Sequence, residues 1–299
     1  MIKQGYLTLA TGPKKYTDMA INLAASLQVM DPKRPICLFC DETYKPDEFA
    51  RFLFRDIIVL PQDSQYPHVM NKIRVFDNSP YDASMFVDAD CLLVKNDVDH
   101  WWRASSQRAF SITGLPQTAG EWKGVKIEDV IRQENINYLV KMNAGVYYFD
   151  KSDSGKDFFK GLKDYYVKSK ERLSISNYKG PNSQSFELYL GLFMGKNNMD
   201  CTNVANLGEN SWMVSTWRAL WCDFRPHQGV STIYKGDDHL FQLPFLPRKV
   251  TKLSPTFAHF IGLKPKRIYQ KLAAEFRATA LMQREKGATA SELSSGLPS

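Results

Sequence analysis

Two carboxylates, two residues apart, form the segment of this chain best suited to chemistry. Asp88-Ala89-Asp90 directly follows the apolar run Ala83–Val87. In extended backbone, side chains at positions i and i+2 point to the same side, so the pair can hold one hard divalent cation. A cation held there can carry a diphosphate. An isolated D-x-D is most often a solvated acidic turn, so its meaning depends on the rest of the chain.

The elements before the acid pair alternate between strands and helices. This βαβαβ order favours a doubly wound α/β fold with a mostly parallel sheet. Ligands of such sheets collect beyond the carboxyl ends of the strands, which is where the acid pair lies. No Gly-rich phosphate loop follows the first strand, which argues against a nicotinamide enzyme or an NTPase. The sequence predicts strands at 6–11, 35–39, 56–60 and 85–87 and helices at 16–30, 46–54 and 71–76.

Beyond the acid pair the pattern is less regular. A loop entering a helix is predicted at 94–102, a strand at 109–114, and a turn followed by a strand at 142–149. Helical spacing marks 155–170 and 185–194. The stretch 203–247 lacks clean periodicity and is predicted to be a loop-rich acceptor region. A basic helix is predicted at 266–286, followed by a frayed polar tail at 288–299.

The composition is that of an ordinary globular protein with a net positive charge. It has 299 residues, 43% of them hydrophobic, which suits either one large α/β domain or a domain with a C-terminal appendage. The net charge of +7 favours polyanionic partners. The five cysteines are odd in number, and Cys37 and Cys91 fall in predicted strands, so reduced thiols and a reducing compartment are expected. With no leader and no apolar stretch long enough for a bilayer, the expected location is the cytoplasm.

Four segments occur in an order that identifies a family resemblance. They are YLTLAT at 6–11 with Tyr16, FVDAD at 86–90, MNAGVYYF at 142–149 and AHFIGLKP at 258–265. The chain resembles glycosyltransferase family 8, the glycogenin-like and lipopolysaccharide-galactosyltransferase-like enzymes with a GT-A fold. The likeness covers about the first 265 residues. It implies a GT-A domain at 1–265, with a nucleotide-binding half at 1–100 and a donor-sugar and acceptor half at 101–265, followed by a basic helix and flexible tail at 266–299.

The resemblance implies a metal site. Asp88, Asp90 and His259 match the ligands that hold Mn²⁺ in the family, and Mg²⁺ is the alternative cation. A mixed oxygen and nitrogen set suits Mn²⁺ better than Mg²⁺. Lys264 matches the lysine that neutralises the departing diphosphate. The family has two residues between the Gly and the Lys-Pro of this motif, whereas this chain has only Leu263, so Lys266 is a rival for the phosphate contact.

The resemblance also implies contacts to a nucleotide sugar. The first strand end would line a uridine pocket, with Tyr16 stacked on the base. Lys72 matches a lysine near the donor sugar, and the small residues of the N-A-G motif leave room for a hexose. The implied nucleotide-sugar contacts are Leu9, Ala10, Thr11, Tyr16, Lys72, Asp88, Ala89, Asp90, Asn143, Ala144, Gly145, Gly262 and Lys264.

The carboxylate that supports the donor sugar is left open by the sequence. Many family members have an Asp-Gln pair, whereas this chain has Ser183-Gln184, with Glu187 three residues later. Either Gln184 keeps its role alone or Glu187 takes the place of the missing carboxylate. The implied catalytic residues are therefore Gln184, Glu187 and Lys264.

The expected function is metal-dependent, retaining transfer of a hexose from UDP-glucose or UDP-galactose to a glycan or lipid-linked saccharide. The basic stretch 264–286 is either a solvated helix face or a peripheral membrane contact. Two alternatives stay open. The net charge and the residues Trp212, Trp217 and Trp221 suit a modified-base DNA acceptor, and the altered motifs suit a non-catalytic nucleotide-sugar binder.

Overall fold

The computed structural model describes residues 2–173, 184–236 and 250–295. The chain forms two compact units, each built from separate stretches. The first unit contains Met1–Leu7, Ile58–Val87 and Asp99–Gly208, and the second contains Thr8–Ile57, Asp88–Val98 and Glu209–Ser299.

Strands and helices alternate through the first half of the chain, as the sequence predicts. The strands are β1 (Gln4–Ala10), β2 (Ile36–Cys40), β3 (Asp56–Val59), β4 (Ala83–Val87), β5 (Cys91–Leu93), β6 (Phe110–Gln117), β7 (Glu121–Trp122), β8 (Val125–Lys126), β9 (Leu139–Asp150), β10 (Thr202–Asn203), β11 (Asn210–Ser215), β12 (Ala219–Arg225), β13 (Val230–Gly236) and β14 (Val250–His259). The α-helices are α1 (Lys14–Met30), α2 (Glu48–Leu53), α3 (Val75–Asn78), α4 (Val98–Ser105), α5 (Ile127–Glu134), α6 (Asp153–Ser169), α7 (Phe186–Lys196) and α8 (Lys266–Ser295).

Seven strands form one sheet in the order β10-β6-β9-β4-β1-β2-β3. β1 runs parallel to β4, with Gln4 opposite Ala83, and β10 runs parallel to β6. β9 is antiparallel to both of its neighbours, β4 and β6. The predicted α/β class with a mostly parallel central sheet, flanking helices and a C-terminal helix is confirmed.

The helical prediction at 71–76 is right in position, but most of that segment is a 3₁₀ helix at His68–Arg74 that leads into α3. Helix α5 was not predicted. Its eight residues are mostly charged or polar, with buried side chains only at Ile127, Val130 and Glu134, so its apolar pattern is short. A helix this short depends on tertiary packing rather than on its own propensity.

Helix α7 packs directly on the backbone of β9 in the first unit because two of its residues lack a side chain. A Cβ atom at Gly191 would come within 2.4 Å of the carbonyl oxygen of Val140, and one at Gly195 within 1.9 Å of that of Tyr138, the residue just before β9. The two glycines are four residues apart and therefore lie on one face of the helix. This close approach sets the height of α7 above the strand.

Gly195→Ala should lower the free energy of unfolding by at least about 2 kcal/mol, because the added methyl group meets a backbone oxygen that cannot rotate away. Urea unfolding followed by circular dichroism measures the change. Lys196→Ala, an exposed position on the same helix, should change stability by no more than about 0.5 kcal/mol. Equal stability of the Gly195→Ala and wild-type proteins would contradict the packing described here.

The second unit contains a sheet with the order β11-β14-β13-β12, and β5 also pairs with β14. The prediction of a loop-rich region at 203–247 is therefore wrong for its described part, which contains β11, β12 and β13. Cys222 and Ile233 face each other across β12 and β13 and form a small buried cluster with Val214. Polar residues and tryptophans between these positions hide the alternation in the sequence. The part of the prediction at 237–247 lies outside the described residues.

Helix α8 extends to Ser295, beyond the predicted end of the basic helix at 286. It is fixed to α1 within the second unit by polar contacts. The Asn22 side chain donates to the Tyr269 hydroxyl at 2.9 Å and accepts from Nε of Arg277 at 2.5 Å. None of the helices in the described part of the chain has an apolar stretch long enough to cross a bilayer.

Candidate metal and nucleotide-sugar site

The acid pair lies on a turn between β4 and β5. The backbone N–H of Cys91 donates to the carbonyl oxygen of Asp88 at 2.9 Å, which closes the turn. The expectation of extended backbone through the D-x-D segment is therefore wrong. Extended backbone cannot form this bond, because the turn brings residues i and i+3 together.

Asp90 lies against the histidine of the late motif in the second unit. Its Oδ1 is 3.0 Å from Nε2 of His259, and the His259 side chain is almost entirely buried. The two residues are 169 positions apart in the sequence. The structure thus brings together two of the three predicted metal ligands, one an oxygen donor and the other a nitrogen donor.

The backbone of His259 is held by neighbours on both sides. Residue 259 pairs with Cys91 of β5 on one side and with Ser215 of β11 on the other. The N–H of Phe260 donates to the carbonyl oxygen of Asp90, and the N–H of Thr216 donates to that of His259, each at 2.9 Å. These backbone bonds hold the carboxylate and the imidazole in place before any ligand binds.

A cation fits the donor atoms that converge here. Among the described residues, the ligand atoms of Asp90, Cys91 and His259 all lie within 4.8 Å of one another. The half-buried Asp88 does not belong to that group, although it precedes Asp90 by only two residues. The carboxylate and imidazole suit Mn²⁺, and a metal role for Asp88 stays a prediction.

Tyr269 is a residue near this cluster that sequence reasoning missed. Burial raises the pKa of its hydroxyl to about 12. The hydrogen bond from Asn22 and the charge of Arg277 oppose the rise, and the Asp90 carboxylate adds to it. It lies four residues after Pro265, at the start of α8. The signal in the sequence that could have identified Tyr269 is its position one helical turn beyond the late motif.

The segment predicted to hold the uridine lies at the end of β1. Ala10 is buried, Leu9 and Thr11 are half-buried, and Tyr16 is exposed on α1. The ammonium of Lys15 lies 5.1 Å from the centre of the Tyr16 ring. The exposed ring is available to a base, and its stacking role stays a prediction.

Asp41 orders the loop that follows this segment. Its carboxylate accepts hydrogen bonds from the hydroxyl of Thr43 at 2.5 Å and from the N–H of Gly12 at 2.7 Å. These bonds hold the pKa of Asp41 below its usual value, and the bond from the Thr43 hydroxyl has the largest effect. Gly12 has a φ of 90°, which is allowed at low cost only for glycine. The glycine permits the turn, and the Asp41 carboxylate stabilises it by accepting from the Gly12 N–H.

Lys264 presents its ammonium near the same end of β14. Its carbonyl oxygen accepts from the hydroxyl of Thr216 at 2.5 Å, and its Nζ lies 4.8 Å from the centre of the Trp217 ring. Gly262 and Leu263 both have positive φ, 62° and 57°. Lys266, the rival for the phosphate contact, is the exposed first residue of α8.

In the first unit the predicted sugar-contacting motif is part of a bulged strand. Asn143, Ala144 and Gly145 belong to β9, so the predicted turn before the strand is wrong. The pairing of β9 with β6 shifts register here, from Ile112 opposite Tyr147 to Gly114 opposite Met142. The extra residues on β9 bulge out, and the Asn143 side chain accepts from the N–H of Gly145 at 3.0 Å.

The peptide groups of Ala144 are held from both sides. Its N–H donates to Oε1 of Glu187 at 3.0 Å, and its carbonyl oxygen accepts from Nζ of Lys72 at 3.2 Å. Glu187 also forms an ion pair with Lys123, a residue that sequence reasoning missed. Lys123 lies in the short β7–β8 turn, where no motif marks it.

Gln184 and Glu187 differ in what they contact. Oε1 of Gln184 accepts from the hydroxyl of Tyr189 at 2.7 Å, within the first turns of α7. Glu187 instead reaches across to β9 and holds the backbone of the N-A-G motif. Ser183, which replaces the family aspartate, lies outside the described residues. The geometry therefore connects Glu187, and not Gln184, with the predicted sugar-contacting motif.

Glu187 and Lys123 should couple by about 1–2 kcal/mol in a double-mutant cycle, because both side chains are about one-fifth exposed and the carboxylate also bears a backbone hydrogen bond. The cycle uses Glu187→Gln, Lys123→Met and the double variant in urea unfolding. The exposed pair Lys160 and Asp164 on α6 is the control and should couple by less than about 0.5 kcal/mol. A Glu187–Lys123 coupling as small as the control would show that the pair does not support the bulge.

The fold is shared with known glycosyltransferases. The galactosyltransferase LgtC, solved with donor and acceptor sugar analogues, superposes with a TM-score of 0.50 at 12% identity, over 90% of this chain and 95% of that one. The apo form of the glycosyltransferase GlyE from Streptococcus pneumoniae TIGR4 superposes with a TM-score of 0.55 at 12% identity, over 95% of this chain. This chain spans 64% of that structure's length. Comparison of the sequence with family profiles and with curated proteins gives no match. At this identity the likeness establishes a GT-A type fold.

Proposed function

We propose that this protein is a metal-dependent, retaining glycosyltransferase of the family 8 type. It transfers a hexose from a nucleotide diphosphate sugar, UDP-glucose or UDP-galactose, to a hydroxyl group of a glycan or lipid-linked saccharide. The observation that carries the proposal is the 3.0 Å approach of the Asp90 carboxylate, on the D-x-D turn, to the His259 imidazole. The GT-A type fold supports it.

The charge on the leaving group is the main demand of this chemistry. As the bond to the sugar breaks, negative charge grows on the diphosphate. Asp88, Asp90 and His259 would hold the divalent cation, which would supply neutralising charge there. Lys264 adds a second positive charge. Its ammonium is exposed and held over the Trp217 ring, so a diphosphate can reach it without a large rearrangement.

The residues of the first unit serve the donor sugar in this proposal. The small residues Ala144 and Gly145 leave space for a hexose, and Glu187 and Lys72 hold the backbone between them. Glu187 is thus a positioning residue whose own carboxylate is already engaged. Because Glu187 acts on the backbone of the motif, this proposal assigns the direct contact to the sugar near its anomeric carbon to Gln184, whose described contact is with Tyr189.

The acceptor is proposed to stack on exposed aromatic rings of the second unit. Three large apolar side chains are exposed in the β11–β12 turn and at the start of β12, with 43% of Trp217, 46% of Leu220 and 65% of Trp221 accessible. Aromatic faces bind the apolar face of a sugar ring, and the polar rim of the indole remains solvated. A DNA base can stack on the same rings, so the two acceptor classes require a direct comparison.

Asp88→Ala and Asp90→Ala should each lower Mn²⁺-dependent UDP release by at least about 100-fold, because the metal loses a charged ligand. The assay measures UDP release from a panel of UDP-hexoses, with and without metal. Asp200→Ala, which changes an exposed carboxylate in the first unit, is the control and should keep full activity. Full activity in either acid-pair variant would overturn the site. Absence of any UDP release from the wild-type protein would favour the non-catalytic binder.

Trp221→Ala should raise the KM for a saccharide acceptor about 10-fold and leave UDP-sugar hydrolysis without acceptor unchanged, since the proposal assigns this ring to the acceptor alone. Trp221→Phe should recover part of the loss because it restores an aromatic face. Transfer to modified-base DNA, falling steeply with salt, is the competing outcome and would reassign the acceptor. An unchanged acceptor KM for Trp221→Ala would remove this residue from the acceptor site.

A further inference from the structure

Cys91 lies beside two of the proposed metal ligands. It follows Asp90 in the chain and pairs directly with His259 across the antiparallel strands β5 and β14. Residues directly opposite each other in such a pair place their side chains on the same face of the sheet. The Sγ atom accordingly lies within 4.8 Å of ligand atoms of both Asp90 and His259.

The three groups together form a donor set that differs from the one the sequence predicts. Carboxylate and imidazole ligands suit Mn²⁺, but a thiolate is a soft ligand that selects Zn²⁺ and related metals. Zinc sites in enzymes commonly have three protein ligands, and sulfur, nitrogen and oxygen are all donors that zinc accepts. The chemistry of the donors therefore points away from a purely hard cation.

Burial places the thiol on the closed side of the cluster. Cys91 is completely buried and His259 nearly so, whereas 23% of the Asp90 side chain is exposed. Of the three groups, the Asp90 carboxylate is thus the one that solvent reaches most readily.

The ligands are also held rigidly. The N–H of Cys91 is bonded to the carbonyl oxygen of Asp88, and the carbonyl oxygen of Asp90 is bonded to the N–H of Phe260, both at 2.9 Å. Two residues later, the N–H of Leu93 donates to the hydroxyl of Ser26 at 3.0 Å. A set of ligands fixed by backbone bonds loses little conformational entropy when a metal binds.

We propose that Cys91 is a metal ligand together with Asp90 and His259, and that this centre binds Zn²⁺ and Co²⁺ more tightly than Mn²⁺. The thiol proton leaves to solvent as the sulfur–metal bond forms. The inference rests on the proposed function for the location of the metal, and it adds the identity of a ligand and a preference among metals. The inference requires neither a metal role for Asp88 nor a bound donor sugar.

Cobalt provides a test that does not depend on activity. Addition of Co²⁺ to the metal-free wild-type protein should produce an intense thiolate-to-cobalt charge-transfer band in the near ultraviolet. Cys91→Ser should abolish that band and lower the affinity for Zn²⁺ at least about 10-fold. Cys222→Ser is the matched control, since Cys222 is a buried cysteine of the same unit that packs with Val214 and Ile233, and it should retain the band. A band that survives in Cys91→Ser, or is absent from the wild type, overturns the proposal.

A second measurement uses only the wild-type protein, so it decides the question even if Cys91→Ser fails to fold. X-ray absorption of protein loaded with one equivalent of Zn²⁺ should show one sulfur neighbour at about 2.3 Å. A shell of only nitrogen and oxygen neighbours overturns the proposal. UDP release with Mn²⁺, measured separately, reports on the proposed function. If the wild-type protein releases no UDP but shows a Zn–S shell, glycosyl transfer is refuted and the metal centre stands.

Discussion

The antiparallel pairing of β5 with β14 is the constraint on which the candidate metal centre depends. It places Cys91 opposite His259, and the turn that precedes β5 then carries Asp90 to within hydrogen-bonding distance of the imidazole. A one-residue shift of this register would turn the His259 side chain to the other face of the sheet, since side chains alternate along a strand. The pairing of β14 with β11 on its other edge makes such a shift costly.

In the first unit a comparable role falls to the close packing of α7 on β9. Gly191 and Gly195 let the helix approach the strand backbone, and that approach brings Glu187 within reach of the Ala144 N–H. The carboxylate then stabilises the bulge, because it accepts a hydrogen bond from the N–H of the buried Ala144. The close packing of α7 on the backbone of β9 thus supports the conformation of the motif proposed to contact the donor sugar.

Much of the architecture was predictable because its signals are local. The βαβαβ alternation, the apolar strand before the acid pair and the basic C-terminal helix all follow from periodicity over short windows, and the structure confirms them. The strands β11 to β13 were missed because exposed tryptophans and polar residues interrupt their alternation, so their pairing depends on partners far along the chain. The bulge at Asn143 was missed for a similar reason. A register shift is a property of two strands, and one strand's sequence does not contain it.

The sequence by itself determined which kinds of chemistry this protein can perform. An acid pair after a buried strand, a late histidine and a following lysine are the groups to which the proposed function assigns a metal and a diphosphate. Only the tertiary structure decided which of these groups meet. It joined Asp90 to His259, added Cys91 to them, and engaged Glu187 with Ala144 and Lys123. The physical reason is that these contacts join residues dozens to well over a hundred positions apart, and strand register and helix packing, rather than local propensity, set their distances.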